Sequence, residues 1–280
     1  MNQASLTADV AQLADRVATA LGDPARLGVA FSGGVDSSVL LALATRALGP
    51  QRTLAILGVS ASLAGSERQL AHTVAADIGA PLVELETHEL DRPAYRENGP
   101  DRCFHCKSEL FDRIDDELVE RYGLTAVAYG ENADDAVRPD RPGAQAATNH
   151  RVLRPLAAAG LTKADVRRVA GALGLQCADK PAAPCLASRI PHYEVVTAEK
   201  LGQIDQAEQV LRDLGFGGGR VRHHGEVARI ELPAADLARA VTEPVRDRLL
   251  QGVRDAGFRF VSLDLGGVQS GAFTLPLVVR

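Results

Sequence analysis

Two short stretches of this chain carry residue types whose spacing suits chemistry. The first is Ser32-Gly33-Gly34-Val35-Asp36-Ser37-Ser38, which follows the apolar run Leu27 to Phe31 and leads into a segment rich in Leu and Ala. A strand, a glycine turn and a helix start, in that order, make a cradle for phosphate. Gly33 and Gly34 allow a tight turn and a close backbone approach. The new helix aims its unpaired N–H groups and positive end at the same point. Ser32, Ser37 and Ser38 add hydroxyl donors. Asp36 alone would repel phosphate, so it implies a Mg²⁺ ion bridging the two. The loop lacks the Gly-Lys-Ser/Thr ending of a Walker A loop, so γ-phosphate transfer of that type is not indicated. The bland alternative is a plain Gly-Ser turn, and the seven-residue length and the strand-to-helix placement weigh against it.

The second stretch is Lys180-Pro181-Ala182-Ala183-Pro184-Cys185-Leu186-Ala187-Ser188-Arg189-Ile190-Pro191. Two prolines stiffen the approach to Cys185 and place it on a loop of fixed shape. Arg189 lies close enough to favour a thiolate or to hold an anionic substrate. Ser188 can donate a hydrogen bond. A buried, inert cysteine near a domain junction is the competing reading.

The elements that must position these residues can be read from periodicity. Leu6, Val10, Leu13 and Val17 share one helical face. Short apolar runs at Leu27–Phe31, Thr53–Val59, Pro81–Leu85 and Thr125–Tyr129 read as strands. Helical spacing appears in Leu70, Val74 and Ile78, and again in Leu110, Ile114 and Leu118. This alternation predicts an α/β fold, a parallel sheet with helices on both faces, with ligand at the carboxyl ends of the strands. Residues 131–160 hold three prolines and little periodicity, which predicts mostly loop. Thr162 and Asp165 form a capping-box-like helix start. From about Pro191 the character changes. Leu201, Ile204, Leu211 and Leu214 predict an amphipathic helix, and Ala228, Ile230, Leu232 and then Val261, Leu263, Leu265 alternate as half-buried strands. The expected organisation is a nucleotide domain over 1–190 and a small C-terminal α+β domain over 191–280.

Composition narrows the class. The chain has 280 residues, a net charge of -5, 46% hydrophobic and 24% charged residues. That charge disfavours a general nucleic-acid binder. No apolar run approaches the ~20 residues of a membrane span, and the start, with Asp9 and Asp15, lacks the pattern of a secretory signal. A cytoplasmic protein with no nucleic-acid or membrane partner is expected. Four cysteines are too few for a disulfide scaffold in a chain this long.

The Ser32–Ser38 loop resembles the PP-loop of the ATP pyrophosphatase superfamily, whose members cut ATP between the α- and β-phosphates and leave AMP on an acceptor. The Lys-Pro-Ala-x-x-Cys-Leu-Ala-Ser-Arg segment narrows the resemblance to the ATP-dependent sacrificial sulfur transferases, the LarE family. The likeness extends to Arg102-Cys103-Phe104-His105-Cys106-Lys107, Gly130-Glu131-Asn132-Ala133-Asp134-Asp135, Gly160-Leu161-Thr162-Lys163 and Arg220-Val221-Arg222. The resemblance implies ATP and Mg²⁺ as cofactors and a pyridinium biscarboxylic acid mononucleotide as the small-molecule substrate. It implies adenylylation of a carboxylate and attack by a cysteine matching Cys185. Cleavage of the Cβ–S bond then leaves a thiocarboxylate, a precursor of the nickel-pincer nucleotide, and dehydroalanine. A homo-oligomer is also implied.

Several residues stay open at this level. Asp134 and Asp135 read either as Mg²⁺ or nucleotide ligands, with Asp36, or as a solvated acidic loop. Family members usually carry Thr or Ser where Glu131 stands, and a carboxylate near phosphates needs a metal or a cation. Some relatives hold an iron–sulfur cluster on three cysteines, a role open to Cys103, Cys106 and Cys185, although a structural Cys-x-x-Cys pair is preferred. Cys177 has no motif context and reads as inert. Arg220 and Arg222, on one side of a strand, read as a grip for a substrate phosphate or as surface arginines. Glu208 reads as a substrate contact or a surface charge. The adjacent His223 and His224 face opposite sides of a strand and do not suggest a metal site. The loop by itself also suits a tRNA thiolase, an amide-forming synthetase or a non-catalytic nucleotide-binding protein.

Overall fold

The computed structural model describes residues 6–138, 142–181 and 183–269. Two compact units are present, one gathering Met1–Ser60, Gly65–Glu89 and Cys103–Ala183, the other Ala61–Ala64, Leu90–Arg102 and Pro184–Arg280.

The first unit is built on a four-stranded parallel sheet. Its strands are β1 (Leu27–Ala30), β2 (Thr53–Val59), β3 (Leu82–Glu86) and β4 (Ala126–Tyr129), in the order β3-β2-β1-β4. Strand β1 is central, and Leu27 and Val29 are fully buried. A strand covered on both faces reads as a continuous apolar run, which is why its pattern does not alternate. Helix α1 (Ala8–Leu21) turns Val10, Leu13 and Val17 inward. Helix α2 (Val35–Leu48) follows the Ser32 loop and buries every residue from Val39 to Ala44. A helix that is apolar all round must be enclosed, and α2 touches α1 as well as α3 (Gly65–Ile78). Elsewhere in this unit, Phe111 of α4 (Arg102–Arg113) and then Ile114 and Leu118 of a following π-helical turn pack on Leu54, Ile56, Leu85, Leu124 and Tyr129.

Residues 131–160, predicted as mostly loop, differ. They contain three short helical segments: Ala133–Ala136, α5 (Pro142–Asn149) and Pro155–Ala158. Their apolar contacts come from alanines, with Ala146 and Ala147 fully buried. Pieces this short and side chains this small leave no periodic signature. Helix α6 (Lys163–Ala172) begins at the expected capping box, in which the Thr162 hydroxyl accepts from the Asp165 amide and the Asp165 carboxylate accepts from the Thr162 amide.

The second unit packs α7 (Ala198–Asp213) and α8 (Val245–Asp255) on a three-stranded mixed sheet. Strands β5 (Arg220–His224) and β6 (Val227–Glu231) form an antiparallel hairpin, and β7 (Phe260–Leu263) runs parallel to β6. Leu211, Phe216, Val221, Ile230, Leu232 and Val253 fill its core. Leu265, expected to continue β7, lies beyond the strand and is 85% exposed. No helix among the described residues is long and apolar enough to cross a membrane.

His223 of β5 is buried in this second core. Its ring meets Phe258 edge to face at 5.2 Å, and Nε2 shares a hydrogen bond with Gln203 Oε1 at 3.0 Å. Burial pushes its pKa from 6.5 down to about 4. Between these values the unfolded chain binds the proton and the folded chain does not, so stability rises with pH. The contribution is fully present above the unfolded value and is lost as pH falls towards the folded one. Urea unfolding followed from neutral pH down to about 4 should show a loss of roughly 3 kcal/mol from this residue, accruing across that window. His223→Gln should flatten that slope.

Candidate active site

At the carboxyl end of β1 the serines fold the phosphate loop on itself. Ser37 Oγ donates to the Gly34 carbonyl at 3.1 Å and accepts from the Ser32 amide at 3.2 Å. The Ser32 and Ser37 hydroxyls lie 3.2 Å apart. Gly34 caps α2 without a side chain, so the first turn of the helix opens onto the loop. Gly33 has φ +70°, and a Cβ there would lie 3.0 Å from the Ala71 backbone. Only glycine adopts that conformation without strain. Ser38 is fully buried, and its side chain does not line the cavity described below.

Asp36 stands in the first turn of α2 with both oxygens engaged. Asn132 Nδ2 donates to Oδ1 at 3.0 Å, and the Lys163 ammonium pairs with Oδ2. Lys163 also donates its backbone N–H to Asp134 at 2.8 Å, and Asn132 Nδ2 reaches Asp135 at 3.0 Å. The cation beside Asp36 is therefore Lys163. Among the described residues no group of three or more His, Cys, Asp or Glu side chains is arranged to hold a metal ion. Asp36 and Asp134 both contact Lys163, Asp36 through the ammonium and Asp134 through the backbone N–H. Lys163 and Asn132 lie 127 and 96 residues from Asp36 in sequence. No local pattern joins them; in the sequence they stand out only within the stretches Gly130–Asp135 and Gly160–Lys163 that carry the family likeness.

A cavity of about 380 Å³ opens beside the loop. Ser32, Gly34, Asp36 and Ser37 line its polar side, and Leu110, Phe111 and Tyr129 form an apolar wall. That combination suits a phosphate ester carrying a flat base. Lys107 also lines it, with Nζ 4.2 Å from the centre of the Tyr129 ring. Gly130 ends β4 against the loop, and a Cβ on it would lie 2.7 Å from both Asp36 C and Ser37 N. Cys103 and Cys106 sit one turn apart on α4; Cys103 is exposed and lines the cavity, while Cys106 is half-buried.

In the second unit Cys185 is exposed at the start of a 3₁₀ turn, Leu186–Arg189. The backbone around it is pinned. The Leu186 amide donates to the Ser62 carbonyl at 2.9 Å, and Arg102 donates to the Ala187 carbonyl at 2.9 Å. Arg189 makes a two-pronged pair with Glu208, Nε to Oε1 at 2.9 Å and Nη2 to Oε2 at 3.1 Å, and both side chains are 4% exposed. Its Nη1 reaches Pro184 O at 2.7 Å, Cys185 O at 3.2 Å and Ser188 Oγ at 2.8 Å. Glu208 Oε1 also accepts from the Val221 amide at 3.1 Å. Arg222 donates to the Ser188 carbonyl at 3.1 Å, to Glu231 at 2.7 Å and to the Gln269 carbonyl at 3.0 Å. Ser188, Arg189, Glu208 and Arg222 are thus brought together around the cysteine turn. Arg220 is half-buried, and its Nη1 donates to the Gly219 carbonyl at 2.8 Å. Cys177 is a buried free thiol.

A Ser-Gly-Gly-Val-Asp-Ser-Ser loop between strand and helix on a parallel sheet defines a PP-loop protein of the ATP-using class. The family model described as asparagine synthase matches residues 10–98. The chain is 35% identical over 265 residues to the pyridinium-3,5-bisthiocarboxylic acid mononucleotide synthase of Lactiplantibacillus plantarum, covering 94% of this chain and 95% of that one. It is 41% identical over 250 residues to an uncharacterised protein of Synechocystis sp., covering 89% and 92%. An uncharacterised protein of Methanocaldococcus jannaschii is 29% identical, over 85% and 88%. The chain belongs to the LarE family of PP-loop proteins.

Two outcomes follow from this geometry. Gly130→Ala should force the Asp36–Ser37 backbone away, lowering the melting temperature and weakening ATP binding about tenfold or more, read by thermal unfolding and calorimetric titration. Glu208→Gln should leave Arg189 buried without its charge partner. A loss of about 3–5 kcal/mol is expected in chemical denaturation.

Proposed function

We propose that the protein is an ATP-dependent sulfur transferase. It adenylylates a carboxylate of a pyridinium biscarboxylic acid mononucleotide and delivers sulfur from Cys185. The observation that carries this reading is the 35% identity, over 94% of the chain, with a synthase named for the bisthiocarboxylic acid product. The exposed Cys185 on a pinned turn supports it.

The chemistry runs in three steps. A substrate carboxylate oxygen attacks the α-phosphorus of ATP, and pyrophosphate leaves; a Mg²⁺ ion bound with the nucleotide would neutralise phosphate charge. Ser32, Gly33, Gly34 and Ser37, with the amide groups opening α2, hold the phosphates. Lys163, held by Asp36 and Asp134, supplies positive charge. The Cys185 thiolate then attacks the acyl carbon and AMP leaves, giving a thioester. A carboxylate is a poor electrophile until AMP becomes its leaving group, and thiolate is a strong nucleophile near neutral pH. Finally a base takes the Cys185 Cα proton, the Cβ–S bond breaks, and sulfur departs as the thiocarboxylate, leaving dehydroalanine. Arg189, Glu208 and Arg222 shape the cysteine turn, and Arg220 and Ser188 hold the anionic substrate.

Intact mass before and after turnover with ATP, Mg²⁺ and the pyridinium biscarboxylic acid mononucleotide, with peptide mapping across Cys185, tests this. Loss of the mass of hydrogen sulfide at Cys185, one per thiocarboxylate formed, is the expected result. Thiolated product with Cys185 intact would move the sulfur source to a cluster or an external donor. Pyrophosphate release only with another acceptor would sink the substrate assignment.

A further inference from the structure

Glu131 is a buried carboxylate beside the Ser-Gly-Gly loop. It follows Gly130 at the carboxyl end of β4 and lines the cavity beside the phosphate loop. Its side chain is 4% exposed. Arg154 Nη1 lies 3.5 Å from Oε2, close enough to balance the charge, yet Oε2 has no hydrogen-bond partner among the described residues. Arg154 is itself held by the Ala144 carbonyl and the Thr148 hydroxyl. The carboxylate therefore sits charge-balanced beside a phosphate site, with a buried acceptor left over. Leaving such an acceptor unmatched is costly, so a ligand donor is called for.

Phosphates at neutral pH bring few donors. A nucleoside brings ribose hydroxyls and, in adenosine, an exocyclic amine. Position decides between them. Gly130 is pressed on the Asp36–Ser37 peptide, so Glu131 is one residue from the loop that takes the phosphates. The ribose is the next group along the nucleotide, and the apolar wall of Leu110, Phe111 and Tyr129 suits the base beyond it. We propose that the Glu131 carboxylate accepts a hydrogen bond from a ribose hydroxyl of the ATP bound in the PP-loop cavity, making it a determinant of ribonucleotide selectivity. This rests on the ATP site proposed above.

Calorimetric titration with ATP, 2′-deoxy-ATP, 3′-deoxy-ATP and inosine triphosphate, without acceptor, tests it. The unmodified protein should bind one deoxy analogue about tenfold or more weakly than ATP. Glu131→Ala should bind ATP and that analogue equally. If the variant does not fold, the analogue series on the unmodified protein decides alone. ATP bound with no discrimination against either deoxy analogue overturns the proposal and leaves the ATP site standing. Discrimination confined to inosine triphosphate also overturns it, since the contact would then be to the base. No binding of ATP at all removes the nucleotide site and this proposal with it.

Discussion

The buried pair of Arg189 and Glu208 is the interaction on which the cysteine turn depends. Two charges taken out of water are a net loss unless geometry and further hydrogen bonds compensate. Here the compensation is complete in kind. The guanidinium faces the carboxylate with two parallel N–H groups, and its remaining nitrogen turns to Pro184 O, Cys185 O and Ser188 Oγ. The carboxylate takes one more donor from the β5 backbone at Val221. A pair that is stable only when all these contacts form links the long helix, the sheet and the cysteine turn. Arg102 and Arg222 extend the same logic to the carbonyls of Ala187 and Ser188. The turn thus presents an exposed thiol from a backbone with little freedom, as preorganised chemistry requires.

A comparable arrangement governs the phosphate loop. Asp36 at a helix N-terminus is favoured by the helix dipole, yet it would oppose an incoming phosphate. Lys163 and Asn132 hold it, and the Lys163 ammonium supplies the positive charge that a lone carboxylate lacks. Arg154 does the same for Glu131. Asp36 and Glu131 each sit next to a cation fixed from elsewhere in the unit. The sequence reading gave Asp36 a Mg²⁺ ion and Glu131 a metal or a cation; the structure places a lysine beside the first and an arginine beside the second.

The legible parts were those written in local pattern. Apolar runs ending in Ser-Gly-Gly marked β1 and the loop, and the four strands appeared within a residue or so of their expected positions. The Thr162–Asp165 box marked the start of α6 because a capping box is a contact across one turn. Residues 131–160 were illegible, since alanine contacts and one- or two-turn helices carry no periodic signal. Leu265 continued an alternation that the chain itself ended at Leu263. Periodicity does not report where a strand loses its hydrogen-bonding partner.

By itself the sequence determined the parallel α/β frame and the Ser-Gly-Gly loop at the end of its first strand. Those properties follow from residue order alone, through backbone conformation, hydrophobic period and motif chemistry. Tertiary structure alone decided which charges meet. Lys163 finds Asp36 across 127 residues, Asn132 finds it across 96, and Arg189 finds Glu208 from a turn to a helix. Electrostatic partners are chosen by distance in space and by burial, and neither is encoded in the spacing of residues along a chain.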